Sequence, residues 1–94
     1  MTAAAVGPHP DLIKAIVSFS FSEKPPFDKL FTGETTAGTV LTEAMVYFEA
    51  QPEPGHDYYL THDRERVQNS ATLGSLRHHD HELTFRMVKE IPQG

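Results

Sequence analysis

Thr36-Ala37-Gly38-Thr39-Val40-Leu41-Thr42-Glu43-Ala44-Met45-Val46-Tyr47-Phe48-Glu49-Ala50 is the stretch on which the fold turns. Val40, Leu41, Ala44, Met45 and Phe48 fall at i, i+1, i+4, i+5 and i+8, which is one stripe of an α-helix, while Thr42, Glu43 and Glu49 lie off it. Thr35 and Thr36 stand where a threonine hydroxyl can accept from an otherwise orphaned amide of the first turn. Gln51-Pro52-Glu53-Pro54-Gly55 ends the pattern, because proline cannot continue a helix. The stretch therefore predicts one capped helix with a single apolar face, which needs a sheet to cover it.

The sequence upstream supplies two strands. Ile13, Ala15, Val17, Phe19 and Phe21 alternate with Lys14, Ile16, Ser18, Ser20 and Ser22, a period of two that predicts a half-buried strand. Pro25 and Pro26 cannot donate to a ladder, so the chain turns there. Phe27, Lys29 and Phe31 then share one side of a second strand returning antiparallel, with Lys29 expected to lay its stem along apolar surface. Downstream, Tyr58 to Leu60 predicts a short strand and 61–66 a charged turn, with a very short strand near Val67. Residues 69–77 read as a loop anchored by Leu73 and Leu76. In the last strand, His81 to Val88, Leu83, Phe85 and Met87 face one way and Glu82, Thr84 and Arg86 the other. A domain over 12–90 is expected, between a mobile tail at 1–11 and a short tail at 91–94.

Composition narrows the function. The 94 residues are 38% hydrophobic and 10% aromatic, enough for one compact core and too much for a disordered chain. No cysteine is present, which excludes a disulfide framework and a thiolate metal site. The net charge of −5 supplies no basic surface for tracking phosphates, so no nucleic-acid partner is expected. Apolar runs fall far short of the ~20 residues that span a bilayer. Met1 to Pro10 has neither the basic start nor the apolar run of a secretory signal. A cytoplasmic domain with no membrane and no cofactor is the expectation.

Hairpin, helix, strand, short strand, loop and final strand is an order that resembles the ubiquitin-like β-grasp family. Thr72-Leu73-Gly74-Ser75-Leu76 followed by Leu83-Thr84-Phe85-Arg86-Met87-Val88 looks like the loop-and-last-strand segment of that family, and Thr36 to Met45 looks like its helix start. The resemblance implies an α+β fold: a mixed sheet of four to five strands with one helix packed across it. It also implies a non-catalytic protein-interaction module with protein partners. As a modifier, the domain would act through its C-terminal Gly94, with an activating enzyme as a further partner. A sulfur carrier and a small non-catalytic subunit of a multicomponent enzyme are the alternatives. Two features depart from the family: Gly94 is a single glycine behind Pro92, and the central position of the family's apolar recognition patch falls at Thr61, beside His62 and Asp63.

The residues themselves sort as follows. Tyr58 and Tyr59 are adjacent, so only one can face the core; Tyr59, with Ile16 and Leu30 on the outward phase of the hairpin and Thr61 beside them, forms the expected protein-binding patch. His78, His79 and His81, with Asp80 and Glu82, are the densest set of potential metal ligands. Their spacing matches no zinc motif, so solvated histidines are expected and no metal. Arg64 and Arg66 interleave with Asp63 and Glu65, a pattern expected to give a solvated turn with weak surface ion pairs. No spacing of serine and histidine supports a nucleophile–base pair, and catalysis is not expected.

Overall fold

The computed structural model describes residues 12–51, 54–77 and 81–90. Five strands, β1 (Leu12–Phe19), β2 (Phe27–Thr32), β3 (Asp57–His62), β4 (Glu65–Val67) and β5 (Glu82–Glu90), form one sheet in the order β2-β1-β5-β3-β4. β1 and β5 run parallel at its centre, and every other pair is antiparallel. Helix α1 (Ala37–Phe48) crosses one face, and a single turn of helix, α2 (Leu73–Leu76), closes its corner. The mixed sheet and crossing helix are those expected from the sequence.

Alternation decides which side chains are inside. Ile13, Ala15 and Val17 of β1 and Leu83, Phe85 and Met87 of β5 turn to the helix and are buried, as are Leu60 and Val67. They meet Val40, Leu41, Ala44 and Phe48, four of the five residues of the predicted stripe; the fifth, Met45, packs at its margin. Tyr58 closes one end edge-on against Phe19, with ring centroids 6.2 Å apart. Lys29 shares this face; its ammonium lies 5.5 Å from the centre of the Phe31 ring and pairs with Glu43 of α1.

Several boundaries differ from the expected ones, each for a local reason. β1 stops at Phe19: the amide of Ser22 donates to the Phe19 carbonyl in a turn, and Phe21 is left 69% exposed. Thr61 and His62 belong to β3, because the charged turn shrinks to Asp63 and Arg64, both in the left-handed region (φ 53° and 72°). β5 runs on to Glu90 because β3 pairs with it from Asp57 onward. α1 ends before the prolines: Glu49 takes φ 58°, and the amides of Glu49 and Ala50 donate to the carbonyls of Val46 and Met45. Lys24, from the β1–β2 turn, donates to the Tyr47 carbonyl at 2.7 Å and pairs with Glu49 at 2.9 Å, fastening the hairpin turn to that helix end.

The segment expected to be a loop holds α2, so the described residues carry a second, one-turn helix beside the one packed across the sheet. Thr72 caps α2 as Thr36 caps α1, each hydroxyl accepting from the amide three residues on. The two caps face each other. Between 33–38 and 69–74 the backbone amides of Ala37, Gly38, Leu73 and Gly74 donate to the carbonyls of Ala71, Asn69, Thr35 and Gly33. This short backbone zipper holds α2 against the start of α1.

Candidate functional site: the outer face of the sheet

α1 covers one face of the sheet, and among the described residues no element covers the other. The register places the outward side chains in rows across the strands. Leu30, Lys14 and Glu82 form one row; Asp28, Ile16 and Thr84 form the next. Ser18, Arg86, Thr61 and Arg66 line up in a third. Val88 and Tyr59 make a fourth, and Glu90 and Asp57 a fifth.

All four expected binding residues stand on this face, though not in one patch. Leu30 and Ile16 lie on the β2–β1 side, diagonal neighbours, with Leu12 beyond them; Leu30 and Leu12 are 56% and 43% exposed. Tyr59 lies on the β3 side against Val88, both half-buried. Two rows, or about 14 Å of strand, separate Ile16 from Tyr59. Thr61 and Arg86 occupy the ground between. The centre of the face is thus polar, as the sequence indicated at Thr61, and the apolar groups flank it.

Arg66 corrects the reading of the charged cluster as a turn laced with ion pairs. Its guanidinium lies 4.3 Å from the centre of the Tyr59 ring, a cation–π stack between diagonal neighbours on β4 and β3. Glu65 faces the other way, in register with His62. Asp63 approaches His62 Nε2 at 3.5 Å. His62 itself is tucked against Phe85 on the helix side, and its Nδ1–H donates to the Thr84 carbonyl at 3.1 Å. Arg86, Arg66 and Val88 were not among the expected contacts. The outward phase of Arg86 was visible in the alternation, but its row partners depend on long-range pairing.

An open depression of about 310 Å³ lies at this centre, lined by Ser18, Thr61, Thr84, Asp63, Arg64 and Arg86. Hydroxyl and guanidinium donors dominate it. Among the described residues, none of its hydroxyls hydrogen-bonds a histidine or a carboxylate. His81 is exposed just before β5; His78, His79 and Gly94 lie outside the described residues. Among the described residues no group of three potential ligands converges on one point, and no helix is long and apolar enough to cross a membrane.

Comparison with solved structures bears on the fold. The ubiquitin of Caldiarchaeum subterraneum superimposes with a TM-score of 0.68 over 88% of this chain and 99% of its own, at 19% identity. The chain has the ubiquitin-like β-grasp fold. A structure described as molecular mimicry of SUMO that promotes DNA repair matches this β-grasp with a TM-score of 0.67, over 88% of this chain and 98% of that one, at 14% identity. ATG8 of Trypanosoma brucei matches it at 0.66, over 92% and 79%, at 16% identity. No protein-family model and no curated protein matches by sequence. The likeness is therefore one of fold, at 14–19% identity.

Proposed function

We propose that this domain is a non-catalytic ubiquitin-like interaction module that docks a partner protein on the outer face of its sheet. The observation that carries the reading is that face itself: a whole side of a five-stranded sheet that no described element covers, with Leu30 and Ile16 on one side of Thr61 and Tyr59 on the other. Tyrosine is enriched at protein interfaces, and apolar groups beside polar ones are the mixture such surfaces carry. Covalent attachment through Gly94, loaded by an activating enzyme in the cytoplasm, is the second role in this proposal, and rests on the family resemblance.

A photo-crosslinking amino acid at Thr61, in cells of the source organism, tests the first role. Val46, 75% exposed on the outer side of α1, is the control site. A discrete adduct at Thr61 that is absent from Val46 and lost with Tyr59→Ala supports docking; equal crosslinking at both sites overturns it. The second role is tested on a denaturing gel of N-terminally tagged chain with and without Gly94. A ladder of heavier species that needs Gly94 supports conjugation, and identical lanes sink it.

A further inference from the structure

We infer that the partner presents a short acidic segment, whose carboxylates are read by Arg86 and Arg66 across Thr61, with Arg64 at the mouth of the depression. This deepens the sheet-face docking proposed above and rests on it.

The fold sorts the charges of this region in a way the sequence does not. Asp63 and Glu65 interleave with Arg64 and Arg66 along the chain, yet Glu65 faces the opposite side of the sheet, and Asp63, 3.5 Å from His62 Nε2, is the one carboxylate lining the depression beside Arg64 and Arg86. What remains in the central row is Ser18, Arg86, Thr61 and Arg66, with no carboxylate. Neighbouring strands are about 4.8 Å apart, so the two arginine positions stand about 10 Å from each other with one threonine between. Among the described residues, neither Arg64 nor Arg86 makes an ion pair or a hydrogen bond, and the contact that Arg66 makes is the face of Tyr59. The lysines that do pair, Lys24 and Lys29, fasten α1 to the hairpin. Arg86 at the centre of the face and Arg64 beside it, neither with a partner of its own among the described residues, are thus accounted for by a ligand.

The donor set fits a carboxylate. A guanidinium offers a planar fork that a carboxylate accepts in parallel hydrogen bonds. The stack on Tyr59 restrains Arg66 while leaving the fork edges open. Ser18, Thr61 and Thr84 add hydroxyl donors to a lining whose one carboxylate is Asp63. On either side, Ile16 with Leu30 and Tyr59 with Val88 would receive apolar residues of the same segment. The ligand is kept short and local by the rim: Asp28, Asp57, Glu82 and Glu90 stand exposed on this face around the arginines. With a net charge of −5, that acidic rim repels an extended polyanion such as a nucleic acid. One or two Asp or Glu residues flanked by apolar ones fit within it.

The test is an amide-resolved NMR titration of the full chain with a synthetic ten-residue peptide of alternating aspartate and valine. Its asparagine isostere and a ten-residue oligothymidylate are titrated in parallel. The acidic peptide is expected to shift the amides of Ser18, Thr61, Thr84 and Arg86. It should bind about tenfold more tightly than the isostere, and weaken as salt rises. Arg86→Gln should reduce its affinity about tenfold, and Arg86→Lys by an intermediate factor, because a lysine keeps the charge but loses the fork. Unchanged melting of both variants confirms that folding is intact. Equal affinity for the asparagine peptide on the same face overturns the acidic inference and leaves sheet-face docking standing. Shifts confined to the helix side, no binding of the acidic peptide, or an oligonucleotide that binds as tightly as the peptide, each overturn it as well.

Discussion

Gly38→Ala is a substitution whose sign the structure decides against intrinsic preference. Gly38 occupies the second position of α1, where alanine should gain roughly 0.5–1 kcal/mol from helix propensity alone. A Cβ built there, however, lies 3.1 Å from the Cβ of Asn69 and 3.2 Å from its carbonyl oxygen. That oxygen accepts the Gly38 amide at 2.9 Å, so neither partner can withdraw without opening the zipper between 33–38 and 69–74. Relief requires a shift of a few tenths of an ångström in backbone, and overpacking of this kind costs about 1–3 kcal/mol. The net expectation is a loss of about 1 kcal/mol, or roughly 4–8 °C in melting temperature for a domain of this size. Gly74→Ala tests the same contact from the other end, since its Cβ would stand 3.1 Å from the Gly33 carbonyl oxygen. Both substitutions strain one element, so the double variant should lose less than the sum of the singles. Urea unfolding followed by circular dichroism reads all three. A Gly38→Ala chain as stable as the parent, or more so, would refute the close approach and with it the role given to the zipper.

Further expectations follow from single contacts. Thr36→Ala removes the cap of α1 and should cost about 1 kcal/mol in the same assay, with Thr36→Ser recovering most of it. Phe85→Ala empties the centre of the core and should cost about 3–5 kcal/mol, leaving little folded protein at 37 °C by melting. Tyr59→Ala should leave stability within about 1 kcal/mol while freeing the Arg66 side chain, seen as a changed shift and broadened rotamer distribution of its guanidinium protons. The hydrogen bond and charge of Lys24 hold the Glu49 carboxyl below its ordinary value of 4.5. A depressed folded value means that its contribution is present above pH 4.5 and lost as pH falls through that lower value. Glu49→Gln should therefore flatten the acid limb of a stability–pH curve below pH 4.5 and leave its shape near neutrality unchanged.

What the sequence made legible is what rests on short-range pattern. The helix could be read because five apolar residues repeat on one stripe and a threonine precedes them, and the strands because alternation survives the tertiary context. The end of α1 could not be read from the prolines, since Glu49 adopts a left-handed conformation that a glutamate seldom favours; Lys24, 25 residues away in sequence, supplies its partner. α2 was hidden because one turn carries no periodicity, and its Thr72 cap signals a helix only once Leu73 is known to be buried. On the binding face, the outward phase of Ile16, Leu30 and Tyr59 was legible, while their separation and the arginines between them were not. Which row a residue joins depends on pairing between β1 and β5, about 70 residues apart along the chain by their register.

That central pair has a consequence for how the molecule comes into being. Of the described strands, the first and the last to leave the ribosome are the two that lie side by side in the middle of the sheet. At about 5–20 residues per second, roughly 3–14 s pass between the emergence of Phe19 and that of its neighbour Met87. Throughout that interval the nascent hairpin carries Ile13, Val17 and Phe31 with only one side of β1 paired. Vectorial synthesis therefore delivers this domain to its native state in one late step, and a nascent chain stalled before Glu82 is a substrate for chaperones in place of a half-built domain.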